Sequence, residues 1–343
     1  MAGLAEAAKG EGKVVVYGGP GPVYRQALVD RFQQAYPGIQ VEFTGGVGAP
    51  EATKLVQERA AGQYTADVFI SGTTNMVVTL KDAGAVDPLA PALLPDNARP
   101  EAWYDGKLQW ADQVEPRTTL MFECYVNEIV FVNPTLADPK QFTSYKDLLD
   151  PKWKGKIAAT DIRQPGPGGV PSRYMYKHAD LGPPYLTQLF HDTDVVLSSD
   201  QRQLIDWLAQ GTYPIGIFVS GSDVQVAQKQ GLAVASVPPE QFKEGAVLGP
   251  GYGAVSLMNR PPHPKAAQLY VNWLLSQEGQ KAWQMVTGES SCRTDISREG
   301  ATPTNSPKAG VKYANAGTEE YSRLTGSVIR DLITDAISSR PKT

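Results

Sequence analysis

Short apolar runs alternate with helical patterns along almost the whole chain, and few architectures other than α/β accommodate that alternation. The first repeat is the apolar run Val14–Tyr17, followed by Tyr24, Leu28, Val29 and Phe32 at helical spacing as far as the Pro37-Gly38 breaker. The second is Ile39–Phe43 with a helix from Glu51 to about Ala61, and the third is Ala66–Ile70 with a helix that runs to Lys81 and closes at Gly84. Successive strands separated by helices need crossover connections, so mostly parallel sheets are expected.

The middle of the chain repeats the scheme. Cys124–Pro134 is a long strand-like segment, a helix over Thr143–Leu149 precedes the strand Gly155–Asp161, and "DQRQLIDWLAQG" is an amphipathic helix with Asp200 as N-cap and Gly211 as its stop. Tyr213–Val219 is a strand, Val224–Gln230 a helix, and "LAVASVP" a last short strand of this block. Further on, "GAVLGPGYGAVSLM" reads as strand and "HPKAAQLYVNWLLSQEGQKAWQMV" as one or two helices with Pro264 near an N-terminus. A final helix spans about Glu319–Ile337, with Tyr321, Leu324, Val328 and Leu332 on one stripe.

Strand after strand ends in a polar, glycine-bearing loop: "GGPGPV", "TGGVGAP", "SGTTN", "IRQPGPGGVPS" and "SGSD". In an open α/β sheet such carboxyl ends share the edge where ligands bind. Tight βα turns use the same residue types, but three in succession favour a cleft. The candidate ligand contacts are Gly19, Pro20, Gly46, Ser71, Gly72, Thr73, Asp161, Arg163, Gly168, Gly169, Ser220, Ser222 and Tyr252. Backbone N–H groups at helix N-termini, the small hydroxyls, Thr74 among them, and the Arg163 guanidinium would suit a carboxylate or phosphate. Asp161 could equally cap a helix, and Arg163 could be a solvated loop residue.

Other function classes find little support. The "GGPGPV" loop is neither a dinucleotide fingerprint, since Tyr24 stands where the third glycine belongs, nor a P-loop, since no Gly-Lys-Ser/Thr follows. No G-x-S-x-G elbow surrounds Ser71, Ser220 or Ser222, and no acid, base and nucleophile stand together, so no catalytic residue is assigned and no enzyme is expected. The net charge is −4 with the basic residues scattered, which argues against a nucleic-acid partner. Three scattered histidines and no CxxC leave a zinc site nothing to be built from, and no cofactor is expected. Cys124 and Cys292 are either one disulfide or two buried thiols, the latter being the commoner fate of a lone pair. No run of roughly 18 uncharged apolar residues is present. The opening "MAGLAEAAKGEGK" lacks the apolar core and cleavage site of a secretory signal, so either the chain is cytosolic or its signal has been removed.

Four segments together carry a family resemblance: "EAAKGEGKVVVYG", "LVDRFQQAYPGIQVEF", "DVFISGTTNMVVTLKDAGAVDPL" and "HPKAAQLYVNWLLSQEGQ". In this order, over about Leu4–Asp295, the chain resembles the extracellular solute-binding proteins of ABC importers, family 1, in the branch that includes ferric-ion receptors. The resemblance implies a periplasmic-binding fold of the second type: two α/β lobes, two hinge-crossing strands and a ligand cleft between the lobes. It implies a first lobe of residues 1–121 and 239–343, a second of 122–238, and hinges near Leu120–Cys124 and Val237–Gly245. It also implies export to the periplasm or cell surface with the signal removed, a membrane permease and a small-molecule ligand as partners, and a monomer. Ferric receptors of this branch use two adjacent tyrosines at a place that here reads "FVSGSD", where Ser220 and Gly221 offer no phenol. Iron would then need a different set, with Tyr252 and Tyr174 as candidates, and an anionic carboxylate, phosphonate or phosphorylated compound is the expected ligand.

Overall fold

The computed structural model describes residues 2–164, 166–324 and 326–341. Pro165, inside one expected ligand loop, lies outside the described residues. Packing divides the chain into two units, one of Met1–Tyr125, Gly249–Pro307 and Gly317–Arg323, the other of Val126–Leu248, Lys308–Ala316 and Leu324–Thr343. Among the described residues no helix is long and apolar enough to cross a membrane.

The first unit is built on a six-stranded sheet. Its order is Gln40–Gly45, Lys13–Gly18, Val68–Ser71, Ala254–Leu257, Leu120–Met121 and Gln109–Trp110. The first three strands are parallel, as their intervening helices demand. Ala254–Leu257 then joins antiparallel beside Val68–Ser71, and Leu120–Met121 is antiparallel to it. The sheet is therefore mixed rather than mostly parallel, because a strand arriving from much later in the chain is free of the crossover constraint. Helices cover it through an apolar cluster in which Leu55, Phe69, Met76 and Leu80 are fully buried. Each such side chain contributes about 1.5–3 kcal/mol. The helix Ala2–Glu11, for which the sequence carried no clear signal, packs on Pro264–Leu274.

The second unit has a five-stranded sheet, ordered Ala235–Ser236, Val130–Val132, Ile215–Ile217, Ile157–Thr160 and Val196–Ser198. Ile215–Ile217 and Val196–Ser198 flank Ile157–Thr160 in parallel, while Val130–Val132 is antiparallel to Ile215–Ile217. Asp200 caps the helix Gln201–Gln210 by accepting the N–H groups of Arg202 and Gln203, and Gly211 ends it in the left-handed conformation, as its sequence requires. Two helices, Gly169–Lys177 and Gly182–Asp192, lie where the sequence reading has a loop as far as Ser172 and assigns no element beyond it. Pro171, Pro183 and Pro184 lie in the first turns, where a missing N–H leaves no helical bond unmade.

Residues 239–248, 308–316, 324 and 326–341, expected from the sequence in the first lobe, fall in the second unit. Tyr313–Asn315 pairs in parallel with Ala246–Leu248, and the helix Gly326–Ser338 lies on Gly182–Asp192 and Gly169–Lys177. That helix is separate from the short Glu319–Ser322, so the single terminal helix of the sequence reading is two. The long strand expected over Cys124–Pro134 is likewise broken, into Tyr125–Val126 and Val130–Val132.

Cys124 and Cys292 form a disulfide within the first unit, against the sequence-based leaning to free thiols. The backbone brings them together: Cys124 N–H donates to the Ser290 carbonyl (2.8 Å) and Cys292 N–H to the Phe122 carbonyl (2.7 Å). Their Cα atoms are 4.8 Å apart, inside the range a disulfide bridges.

Candidate functional site

In the first unit the three strand-end loops meet. A Cβ on Gly45 would lie 3.1 Å from the Gly19 carbonyl oxygen, and one on Gly48 would lie 2.2 Å from Ser71 Oγ. One on Gly72 would lie 3.2 Å from the carbonyl oxygen of Gly251, which brings in the turn that carries Tyr252. Gly48 also has a φ of +93°, so this position is closed to other residues twice over. Glu51 fixes the middle loop: its Oε2 accepts the Gly48 N–H at 2.8 Å, and its carboxylate occupies the space a Gly46 side chain would need. Ser71 is buried and accepts from Asn75 Nδ2 (3.3 Å), while Thr73 is hydrogen-bonded to Ser322 (3.2 Å). Gly19, Pro20, Gly46, Ser71, Gly72, Thr73 and Tyr252 thus share one edge, with Pro20, Gly46, Gly72 and Tyr252 partly exposed.

Aromatic rings and carboxylates back this edge. Tyr24 lies across Gly19, 5.1 Å from the Tyr252 ring and 5.7 Å from Trp283 between centroids. Burial, then the charges of Glu123 and Glu289, push the Tyr24 hydroxyl far above its ordinary range. Burial also raises Tyr252, with Glu51 adding to the effect. Glu123 is 1% exposed, its Oε2 has no hydrogen-bond partner, and it is wedged beneath the turn, 2.0 Å from where a Gly251 Cβ would stand. Desolvation, with Glu289 next, holds its carboxyl well above the usual range, and desolvation lifts Glu289 to about 7. Sequence reasoning missed all three carboxylates as parts of this edge. Glu51, three residues after the glycine that precedes a helix, carried a readable capping signal, whereas Glu123 and Glu289 are distant in sequence and carried none.

The second unit presents its own loops. Thr160 Oγ1 donates to the Phe218 carbonyl (2.6 Å) and accepts from Gln201 Nε2 (3.0 Å), and Gln201 Oε1 accepts the Ser220 N–H (2.9 Å). Gln201 therefore ties the loops after Ile157–Thr160 and Ile215–Ile217 together. Phe218, buried with φ +60°, is held in a backbone region that non-glycine residues seldom adopt. Gly168 packs against Ile162 and Phe218, and Gly169 opens the helix Gly169–Lys177. Ser220 caps the helix Gly221–Lys229 and shares a hydrogen bond with Ser222 (3.0 Å). Asp161 and Arg163 pair with each other, Nε and Nη2 each at 2.8 Å from a carboxylate oxygen. The guanidinium lowers the Asp161 pKa, and the carboxylate raises that of Arg163.

Of the two tyrosines considered for a metal, Tyr252 belongs to the first unit and Tyr174 to the second. Tyr174 is buried and its hydroxyl donates to the Glu244 carbonyl, so it is a packing residue rather than a presented ligand. Among the described residues no three His, Cys, Asp or Glu side chains cluster as a metal site.

The model of the bacterial extracellular solute-binding proteins matches residues 13–285. The chain belongs to this family. Iron-bound HitA from Pseudomonas aeruginosa has the same fold, with a TM-score of 0.67, 19% identity, and coverage of 94% of this chain and 99% of that one. AfuA from Actinobacillus pleuropneumoniae, a periplasmic binding protein solved with exogenous fructose-6-phosphate, gives a TM-score of 0.66 and 20% identity, covering 95% and 98%. Trichodesmium IdiA (FutA), in complex with iron and citrate, gives 0.63 and 18% over 95% and 98%. This solute-binding protein therefore has the two-lobed periplasmic-binding fold, and its family is extracellular.

Proposed function

We propose that this solute-binding protein is the receptor of an ABC importer, capturing a small anionic organic compound between its two lobes by hinge closure and delivering it to a membrane permease. The meeting of the Gly19, Gly48 and Ser71 loops with the Tyr252 turn on one edge of the first unit carries this reading. Helices begin behind several of these loops and behind Gly168 and Ser220 of the second unit, which favours carboxylate, phosphonate or phosphate groups. The disulfide suits an oxidising compartment, periplasmic or surface-anchored. Hinge segments near 120–124 and 237–245 belong to the same proposal. Ligand that contacts both lobes only when they close shifts an open–closed equilibrium.

Thermal-shift measurements with carboxylates and phosphorylated compounds should find a ligand that raises the melting temperature. Scattering with that ligand at saturation should show a smaller radius of gyration. An unchanged radius would exclude hinge closure.

One observation favours a second reading, ferric iron on an unusual site: the Tyr24–Tyr252 phenol pair beside Glu51, Glu123 and Glu289. Fe(III) takes anionic oxygen donors and would have to displace protons from phenols that burial holds neutral. If iron is the ligand, ferric salt should give a visible phenolate charge-transfer band that Tyr252→Phe weakens. A colourless mixture with no thermal response leaves the organic anion.

A further inference from the structure

The chain passes from one unit to the other after residues 125, 248, 307, 316 and 323, where the sequence reading expects only two crossings. The last two bracket Gly317–Arg323, a short segment of the first unit whose flanks on both sides belong to the second. Complementary charges fasten it to the first unit. Lys81, at the end of the helix Asn75–Leu80, places its Nζ between Asp112 Oδ1 (2.8 Å) and Glu319 Oε2 (3.1 Å). Arg323 donates from its two Nη groups to both oxygens of Asp82 (2.9 and 2.7 Å) and from Nε to Glu319 Oε1 (2.7 Å). The Glu319 N–H donates to the Ala111 carbonyl (2.8 Å), and the buried hydroxyls of Thr73 and Ser322 share a hydrogen bond (3.2 Å). Thr73 stands in the loop 71–75 of the candidate ligand edge, so the segment is tied to that loop as well as to the helix that follows it.

The segment has little slack. Ala316 donates its N–H to the Leu248 carbonyl within the second unit (2.9 Å), and the span from Ala316 to Glu319 is at most about 11 Å of extended chain. On its other side the helix Gly326–Ser338 packs on Gly182–Asp192. Movement of one unit against the other must therefore stay within that reach or pull the segment off its partners. Arg323 and Asp82 are 43% and 45% exposed, so their pairing is weak and salt-screened, and release is reversible.

We propose that Gly317–Arg323 is a releasable strap: docked, it steadies the loop 71–75 and limits how far the units part, and undocked, it frees both. The inference rests on the receptor reading for the hinge movement that the strap limits, but its docking needs no ligand.

Hydrogen exchange and scattering on the full, ligand-free chain test it. Arg323→Gln should quicken exchange about three- to tenfold over both 317–323 and 71–80, leave the strand Lys13–Gly18 as it is, and enlarge the radius of gyration. Arg330→Gln, which removes an exposed charge from the next helix, should do none of this. Raising the salt of the wild type from about 0.05 to about 1 M NaCl needs no variant and should act in the same direction, with little further effect on Arg323→Gln. Quickening confined to 317–323, quickening that extends equally to Lys13–Gly18, an unchanged radius, or a full salt response in Arg323→Gln each overturns the strap. If the variant behaves as expected while citrate and inorganic phosphate leave the wild-type radius unchanged, the strap stands and closure on those anions falls. Closure on either anion, with 71–80 indifferent to Arg323→Gln, does the reverse.

Discussion

Replacing Cys124 and Cys292 together with alanine is expected to reduce the stability of the first unit by about 2–5 kcal/mol. The bond joins positions 168 residues apart, and the chain between them includes the whole excursion Val126–Leu248 into the second unit. Without the cross-link the unfolded chain regains the entropy of that long loop, an increase that grows slowly with length. The backbone bonds between 122–124 and 290–292 remain, so the native arrangement is expected to persist with less margin. Guanidinium unfolding followed by tryptophan fluorescence should show an earlier first transition, with Trp103, Trp273 and Trp283 of this unit as reporters. An unchanged midpoint in the double variant would show that the bond contributes nothing.

The second large effect is pH-dependent. Glu289 has an ordinary pKa of 4.5 and is lifted to about 7 by burial, and Glu123 is raised as well, by burial and then by Glu289. For an acid whose folded pKa is raised, the native state binds more protons than the unfolded one between the two values, so stability falls as pH rises. Below about pH 4.5 both states are protonated and nothing is lost; between there and about 7 the loss accumulates. For Glu289 it reaches roughly 3 kcal/mol. Glu289→Gln should therefore be more stable than the wild type at pH 8 and indistinguishable from it at pH 4. Glu123→Gln should act in the same direction, since its Oε2 has no hydrogen-bond partner to lose. Asp295, held at about 2 by Arg293, has the opposite sign and acts only at the acid end, so it does not confuse the comparison. Melting temperatures of the three proteins from pH 4 to 8 would settle it, and parallel curves would sink it.

Much of the local structure was legible. The Asp200 cap and the Gly211 stop are four-residue affairs, and the structure forms both. The loops after the first three strands could be located because glycine, proline and hydroxyl residues interrupt apolar runs, and they do meet on one edge. The helices Gly169–Lys177 and Gly182–Asp192 were hidden, since prolines tolerated in a first turn look like breakers when the start of the helix is unknown. Mixed strand direction was hidden too, because no local pattern says which neighbour Ala254–Leu257 will take.

The candidate site divides along the same line. The glycine-rich loops that carry Gly19, Gly72 and Gly168 could be located by inspection, whereas the partner of Arg163, two residues away in Asp161, appears only in the structure. By itself the sequence determined much of the succession of strands and helices, the polar loops and the family resemblance, all written in spacings of a few residues or in their order along the chain. Only the tertiary structure joined Cys124 to Cys292 and placed Glu123 beneath the Gly251 turn. Those meetings depend on the path of the backbone between residues far apart, and burial and charge act through that path rather than through sequence distance.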